Sequence, residues 1–131
     1  MEKKILAVDD DKEFLEELKE SLVNSGYDVT GVSEGNSAVK AARALKPTLI
    51  LLDLKMSSMS GFEVADELKQ FPETSSIPII AMTGFYTMKE HSWLMNFCGI
   101  KKCFKKPFDP VEIIAGIEDV LSEKRDQETS T

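Results

Sequence analysis

Five side chains able to bind or transfer charge stand at the ends of segments that read as strands. Asp9 and Asp10 follow Ile5-Leu6-Ala7-Val8, Asp53 follows Leu49-Ile50-Leu51-Leu52, Thr83 follows Ile79-Ile80-Ala81-Met82, and Lys106 follows Lys101 to Lys105. Three carboxylates brought close together repel one another strongly when ionised unless a divalent cation neutralises them. Hard oxygen ligands suit Mg2+, which usually keeps waters and takes one or two carboxylates together with a phosphate oxygen. An acidic cluster beside a hydroxyl and an ammonium is therefore suited to holding a phosphoryl group, with Asp53 as the candidate nucleophile that receives it. Thr83 would hydrogen-bond one phosphoryl oxygen, and Lys106 would pair with another or, without phosphate, with Asp53 itself.

Taken singly, these residues have plainer readings. A Thr after a strand is often a cap, a Lys beside a Pro is often solvated, and an Asp run before a helix favours its N-terminus. Their joint placement at the ends of four strands outweighs those readings.

The elements that must position them follow from hydrophobic pattern. Leu49 to Leu52 leaves no solvated face, so the segment reads as a strand buried on both sides that delivers one carboxylate at its far end. A short loop, Leu54 to Gly61, separates it from a helix carrying Val64, Ala65, Leu68 and Phe71 up to Pro72. Lys4 to Val8 reads as the first strand, followed by a helix with Phe14, Leu15, Leu18 and Leu22 that stops at Gly26. Tyr27 to Val32 is the second strand, and Ala38, Ala41, Ala42 and Leu45 mark the helix before Pro47. Ile77 to Met82 forms the fourth strand. Residues 87 to 98 are helical with a poorly resolved apolar stripe, and Lys101 to Lys105 is a charged edge strand. Val111, Ile113, Ile114, Ile117, Val120 and Leu121 make the last helix amphipathic, with a polar tail over 126–131 after a domain of residues 1–125. Strands alternating with helices imply a doubly wound α/β fold, a five-stranded parallel sheet covered by five helices. In such a sheet, the carboxyl edge at the switch point is the expected ligand crevice.

Composition narrows the function classes. In 131 residues, 42% hydrophobic and 30% charged, there is room for one ordinary core, and a net charge of −7 argues against direct, sequence-independent binding to nucleic acid. No apolar run approaches the roughly 20 residues of a membrane span, and Met1-Glu2-Lys3-Lys4 does not lead into a signal-peptide core, so a cytoplasmic protein is expected. Cys98 and Cys103 have neither the number nor the pairing of a zinc site, a lone His91 adds little, and the two thiols read as buried or idle in a reducing compartment.

Ile5 to Asp11, Leu51-Leu52-Asp53-Leu54-Lys55-Met56 with Gly61, Ile79 to Gly84, and Lys106-Pro107-Phe108 together closely resemble the receiver domain of two-component response regulators. The resemblance covers residues 3 to about 123 and is of the single-domain, chemotaxis-regulator-like kind. It implies the flavodoxin-like strand order 2-1-3-4-5, a member of the family being a known example of that order. It further implies phosphoryl transfer from the histidine of a sensor histidine kinase or phosphotransfer protein onto Asp53. Mg2+ would be bound by Asp10, Asp53 and the backbone carbonyl of Lys55, with Asp9 acting beside them partly through water. The family's loop usually has Pro where this chain has Ser57, and its fifth strand usually carries Tyr or Phe where this chain has Cys103. Because the chain stops after its fifth helix, output is expected through phosphorylation-dependent binding of a protein target on the fourth helix, fifth strand and fifth helix. Phe85, Tyr86 and Trp93 are candidate anchors there.

An alternative is a metal-dependent phosphatase or phosphotransferase working through an aspartyl-phosphate. Haloacid-dehalogenase-like enzymes of that kind place an acid/base group two residues past the nucleophile, where this chain has Lys55. A switch that is not an enzyme, beyond self-phosphorylation from small donors and autodephosphorylation, is the expected reading.

Overall fold

The computed structural model describes residues 3–84 and 88–129. Strands and helices alternate along them: β1 (Lys4–Val8), α1 (Lys12–Asn24), β2 (Asp28–Val32), α2 (Gly35–Leu45), β3 (Leu49–Asp53), α3 (Gly61–Lys69), β4 (Ile79–Thr83), α4 (Met88–Phe97), β5 (Ile100–Lys105) and α5 (Pro110–Thr129). All strand pairs are parallel, in the order β2-β1-β3-β4-β5. This is the doubly wound sheet read from the alternation, in the flavodoxin-like order implied by resemblance. The reversal of winding falls between β1 and β3, so their carboxyl ends open onto one crevice.

Side-chain alternation divides the interior in two. Leu6, Val8, Ile50, Leu52, Ile79 and Ala81 face one way and pack with residues of α2, α3 and α4. Ile5, Ala7, Leu49, Leu51, Ile80 and Met82 face the other way, against α1 and α5. With apolar cover on both faces, β3 has no position for a polar residue until Asp53 at its end. Between β4 and β5 the register skips Lys101, after which Cys103 turns towards the α4 side and Phe104 towards the α5 side.

Helix ends follow local chemistry. Asp11 caps α1 by accepting the Phe14 N–H at 3.1 Å, and Ser60 caps α3 by accepting the Glu63 N–H at 3.2 Å. Lys46 closes α2 in the left-handed region, at φ 48°, just before Pro47.

Several boundaries depart from the hydrophobic pattern. Phe71 lies beyond α3, because the buried Thr74 hydroxyl donates to the Leu68 carbonyl and draws the chain into a turn. Its ring instead lies 4.0 Å below the Arg43 guanidinium. β4 begins at Ile79 rather than Ile77, since Ile77 gives its N–H to Thr74 within that turn. α4 is interrupted at His91 (φ −124°, ψ 25°), which matches its weak stripe: Met95 is buried while Trp93 and Phe97 are 73% and 66% exposed. Val111, counted in the last apolar stripe, is 71% exposed and belongs to the solvent side of the first turn of α5. That helix continues to Thr129, into the segment read as a tail, because no Pro or Gly after Gly116 ends it. The candidate anchors Phe85 and Tyr86 lie outside the described residues.

Candidate functional site

Asp9 and Asp10 leave β1, Asp53 ends β3, Thr83 ends β4 and Lys106 follows β5, so parallel pairing alone collects them at the carboxyl edge. Oxygens of Asp9, Asp10 and Asp53 lie within 4.8 Å of one another. Asp9 is fully buried and uses both carboxylate oxygens: Oδ1 accepts the Asp11 N–H at 3.0 Å and Oδ2 accepts from Lys106 Nζ at 2.5 Å. The same Nζ is 3.8 Å from Asp53 Oδ2. Lys106 thus makes the ion pair with Asp53 expected from the sequence and a closer one with Asp9. Asp10 is exposed, and its Oδ2 accepts the Ser57 N–H at 2.9 Å, tying the end of β1 to the loop after β3.

Asp53 is buried, and its Oδ1 accepts the Lys55 N–H at 3.3 Å. The Lys55 side chain is exposed. Burial pushes the Asp53 carboxyl up, the charge of Asp9 pushes it further, and Asp10 adds to both. Lys106 and the Lys55 N–H oppose them, and the net value is about 6 against an ordinary 3.8. Asp53 is therefore ionised near neutral pH and more basic than an ordinary carboxylate, a useful property in a nucleophile. Thr83 is fully buried, and its carbonyl accepts the Lys106 N–H at 2.7 Å, which registers the lysine against the end of β4.

Two further residues shape the site from outside the acidic cluster, Gly61, which the sequence motif includes, and Phe14, which carried no site signal. Gly61 packs so closely on β3 that an added Cβ would lie 2.3 Å from the Asp53 carbonyl oxygen. Phe14, which reads as a core residue of α1, places its ring 4.2 Å from Lys106 Nζ. Cys98 is buried and Cys103 half-buried, and burial raises the Cys103 thiol to about 11, so it is protonated near neutral pH.

A doubly wound sheet with three carboxylates, a hydroxyl and an ammonium at its switch point defines a phosphoryl-handling class of α/β domain. A family model described as the response regulator receiver domain matches residues 5–118, and the chain belongs to that family. It is a receiver domain of two-component signalling; the phosphatase alternative is not favoured. The alkaline phosphatase synthesis transcriptional regulatory protein PhoP of Bacillus subtilis is 35% identical over 122 residues, 92% of this chain and 49% of PhoP. The chain spans about half the length of such curated relatives. The CheY-like response regulator receiver domain protein of Methanospirillum hungatei superposes with a TM-score of 0.88 at 25% identity, covering 97% of this chain and 99% of that one. The receiver domain of sensor histidine kinase PA1611 from Pseudomonas aeruginosa, solved with a magnesium ion in its active-site cleft, shares the fold at a TM-score of 0.83 and 24% identity, covering 93% and 99%. Among the described residues, no helix is long and apolar enough to cross a membrane.

Proposed function

We propose that Asp53 is the phosphoacceptor of this receiver and that a sensor histidine kinase or phosphotransfer protein is the donor. The observation that carries the reading is the gathering of three carboxylates within 4.8 Å, with one ammonium bridging two of them. An Asp53 carboxylate oxygen attacks the phosphorus of phosphohistidine as the P–N bond breaks, and its electron pair leaves on the imidazole nitrogen. Lys106, already between Asp9 and Asp53, moves its ammonium onto a phosphoryl oxygen. The Thr83 hydroxyl takes another.

The donor set fits a divalent cation, being all oxygen with three formal negative charges against one positive. Asp10, Asp53 and the Lys55 carbonyl would hold Mg2+, with Asp9 beside them partly through water. The ion would neutralise the carboxylates and the incoming phosphoryl oxygens. The chain acts as a cytoplasmic switch rather than an enzyme on separate substrates, and it passes its state to a protein target through α4, β5 and α5. The transcriptional role in the name of the Bacillus relative belongs to that longer protein.

Intact mass after incubation with Mg2+ and acetyl phosphate tests this. Wild type should gain one phosphoryl group and Asp53→Asn none; full-rate labelling of that variant would assign the nucleophile elsewhere.

A further inference from the structure

The Lys106 ammonium has a neighbour that the acidic pocket does not account for. Its Nζ lies 4.2 Å from the centroid of the Phe14 ring, within the range of a cation–π contact. Phe14 stands in the first turn of α1, and its N–H donates to Asp11 Oδ1 at 3.1 Å. Asp11 in turn donates its N–H to Asp9 Oδ1, and Asp9 Oδ2 accepts from Lys106 Nζ. Asp9, Asp11, Phe14 and Lys106 therefore form a closed circuit in which each member fixes the next.

The ring is itself braced. Phe108 meets it edge-on at 5.7 Å with an interplanar angle of 83°, and Phe104 meets Phe108 at 6.2 Å. Phe104 lies over Gly116 of α5, where an added Cβ would be 2.5 Å from its Cζ. Phe14 is thus backed by aromatic contacts that reach the far helix.

A lysine reaches its target through a flexible four-carbon stem, and ordering that stem opposes any contact it makes. Asp9 holds the ammonium by charge and a directional hydrogen bond. A ring face attracts it without a strict direction, so the ammonium can slide from Asp9 towards an oxygen on Asp53 while the ring stays beneath it.

We propose that Phe14 is a positioning residue for phosphoryl transfer, its ring holding Lys106 at the mouth of the pocket; this rests on the reading of Asp53 as phosphoacceptor. Phe14→Leu keeps an apolar side chain and removes the ring, and Phe14→Tyr keeps the ring. In protein labelled with 13C-lysine, the Lys106 1Hε–13Cε signals, assigned with Lys106→Met, should lie upfield of the other lysines through the ring current. They should return to the common range in Phe14→Leu and stay upfield in Phe14→Tyr.

Labelling by acetyl phosphate with Mg2+ should slow about three- to tenfold in Phe14→Leu and remain near wild type in Phe14→Tyr. Equal rates for Phe14→Leu and wild type overturn the proposal. So do Lys106 signals that do not respond to loss of the ring, including the case where both variants slow alike, which would make Phe14 only a packing residue. If Phe14→Leu does not fold, the wild-type spectrum decides: unshifted Lys106 signals overturn the proposal and upfield signals support it. A wild type that takes no label would sink the phosphoacceptor reading, while the Lys106 signals would still report whether Phe14 holds the ammonium.

Discussion

Replacing Gly61 by Ala should damage the site from behind. The new Cβ would lie 2.3 Å from the Asp53 carbonyl oxygen and 2.7 Å from Leu54 Cα, where ordinary contact begins at 3.4 Å. Both neighbours are backbone, with no rotamer to yield, so the end of β3 and the start of α3 must part by about 1 Å, the shortfall in those distances. That movement weakens the Gly61 N–H bond to the Leu54 carbonyl, now 3.0 Å. Overpacking of this kind costs about 1–3 kcal/mol and the lost hydrogen bond about 1, against a gain of up to about 1 from better helix propensity. A net loss of about 1–4 kcal/mol follows, or roughly 3–20 °C in Tm for a domain of this size. Asp53 moves with its backbone, and a misplacement of about 1 Å is worth up to about 100-fold in rate. Thermal melting and acetyl phosphate labelling are the assays. A Gly61→Ala protein that melts within about 2 °C of wild type and labels equally fast would refute the close-approach argument. Gly26 is the control: its φ of +96° strains any side chain, but nothing lies within 4 Å, so Gly26→Ala should lose about 1 kcal/mol and keep its labelling rate.

Further outcomes follow from the electrostatics and from α4. With its value raised to about 6 from 3.8, the Asp53 carboxyl is harder to ionise in the folded chain than in the unfolded one. It favours folding below about pH 4 and loses that contribution as pH rises through about 6. In chelator, Asp53→Asn should therefore exceed wild type in stability at about pH 7.5 by on the order of 2 kcal/mol, and the two should converge near pH 4. Urea melts at both pH values check this, and a gap independent of pH would refute it. Asp10→Ala removes one carboxylate and frees the Ser57 N–H, so Mg2+ should bind at least about tenfold more weakly in a titration. Unchanged affinity would move the ligand role to Asp9. Beryllofluoride with Mg2+ should shift the emission of Trp93, the only tryptophan, because α4 is already broken at His91 and holds that ring in solvent. An unchanged spectrum would argue that α4 does not carry the response.

Much of this was legible because two simple periodicities governed it. The unbroken apolar run of β3 announced a strand covered on both faces, and parallel connectivity then forced Asp9, Asp53, Thr83 and Lys106 to one edge. What stayed hidden depends on distances between segments remote in sequence. Nothing around Phe71 signals that Thr74 will take the Leu68 carbonyl, or that Arg43 will lie over the ring. Val111 fits the helical period but falls where α5 has not yet met the sheet. The pairing of Lys106 with Asp53 followed from the sequence, whereas its closer contact with Asp9 did not, since the difference between the two arises from about 1 Å of side-chain reach. Phe14 kept helical spacing and so looked like core; its contact with Lys106 exists only once α1 and α5 pack side by side and bring the residue after β5 to the first turn of α1.

Because neighbouring residues of one strand serve opposite sides, the sheet works as a bulkhead. Leu52 and Leu51 are adjacent in sequence yet belong to different compartments, one roofed by α2, α3 and α4 and the other by α1 and α5. Met95 of α4 and Ile117 of α5 belong to separate clusters of buried side chains on opposite faces of the sheet, so loosening one should disturb the packing around the other little. A chain built this way can accumulate changes under α4 while the compartment that braces Phe14 and Lys106 keeps its shape.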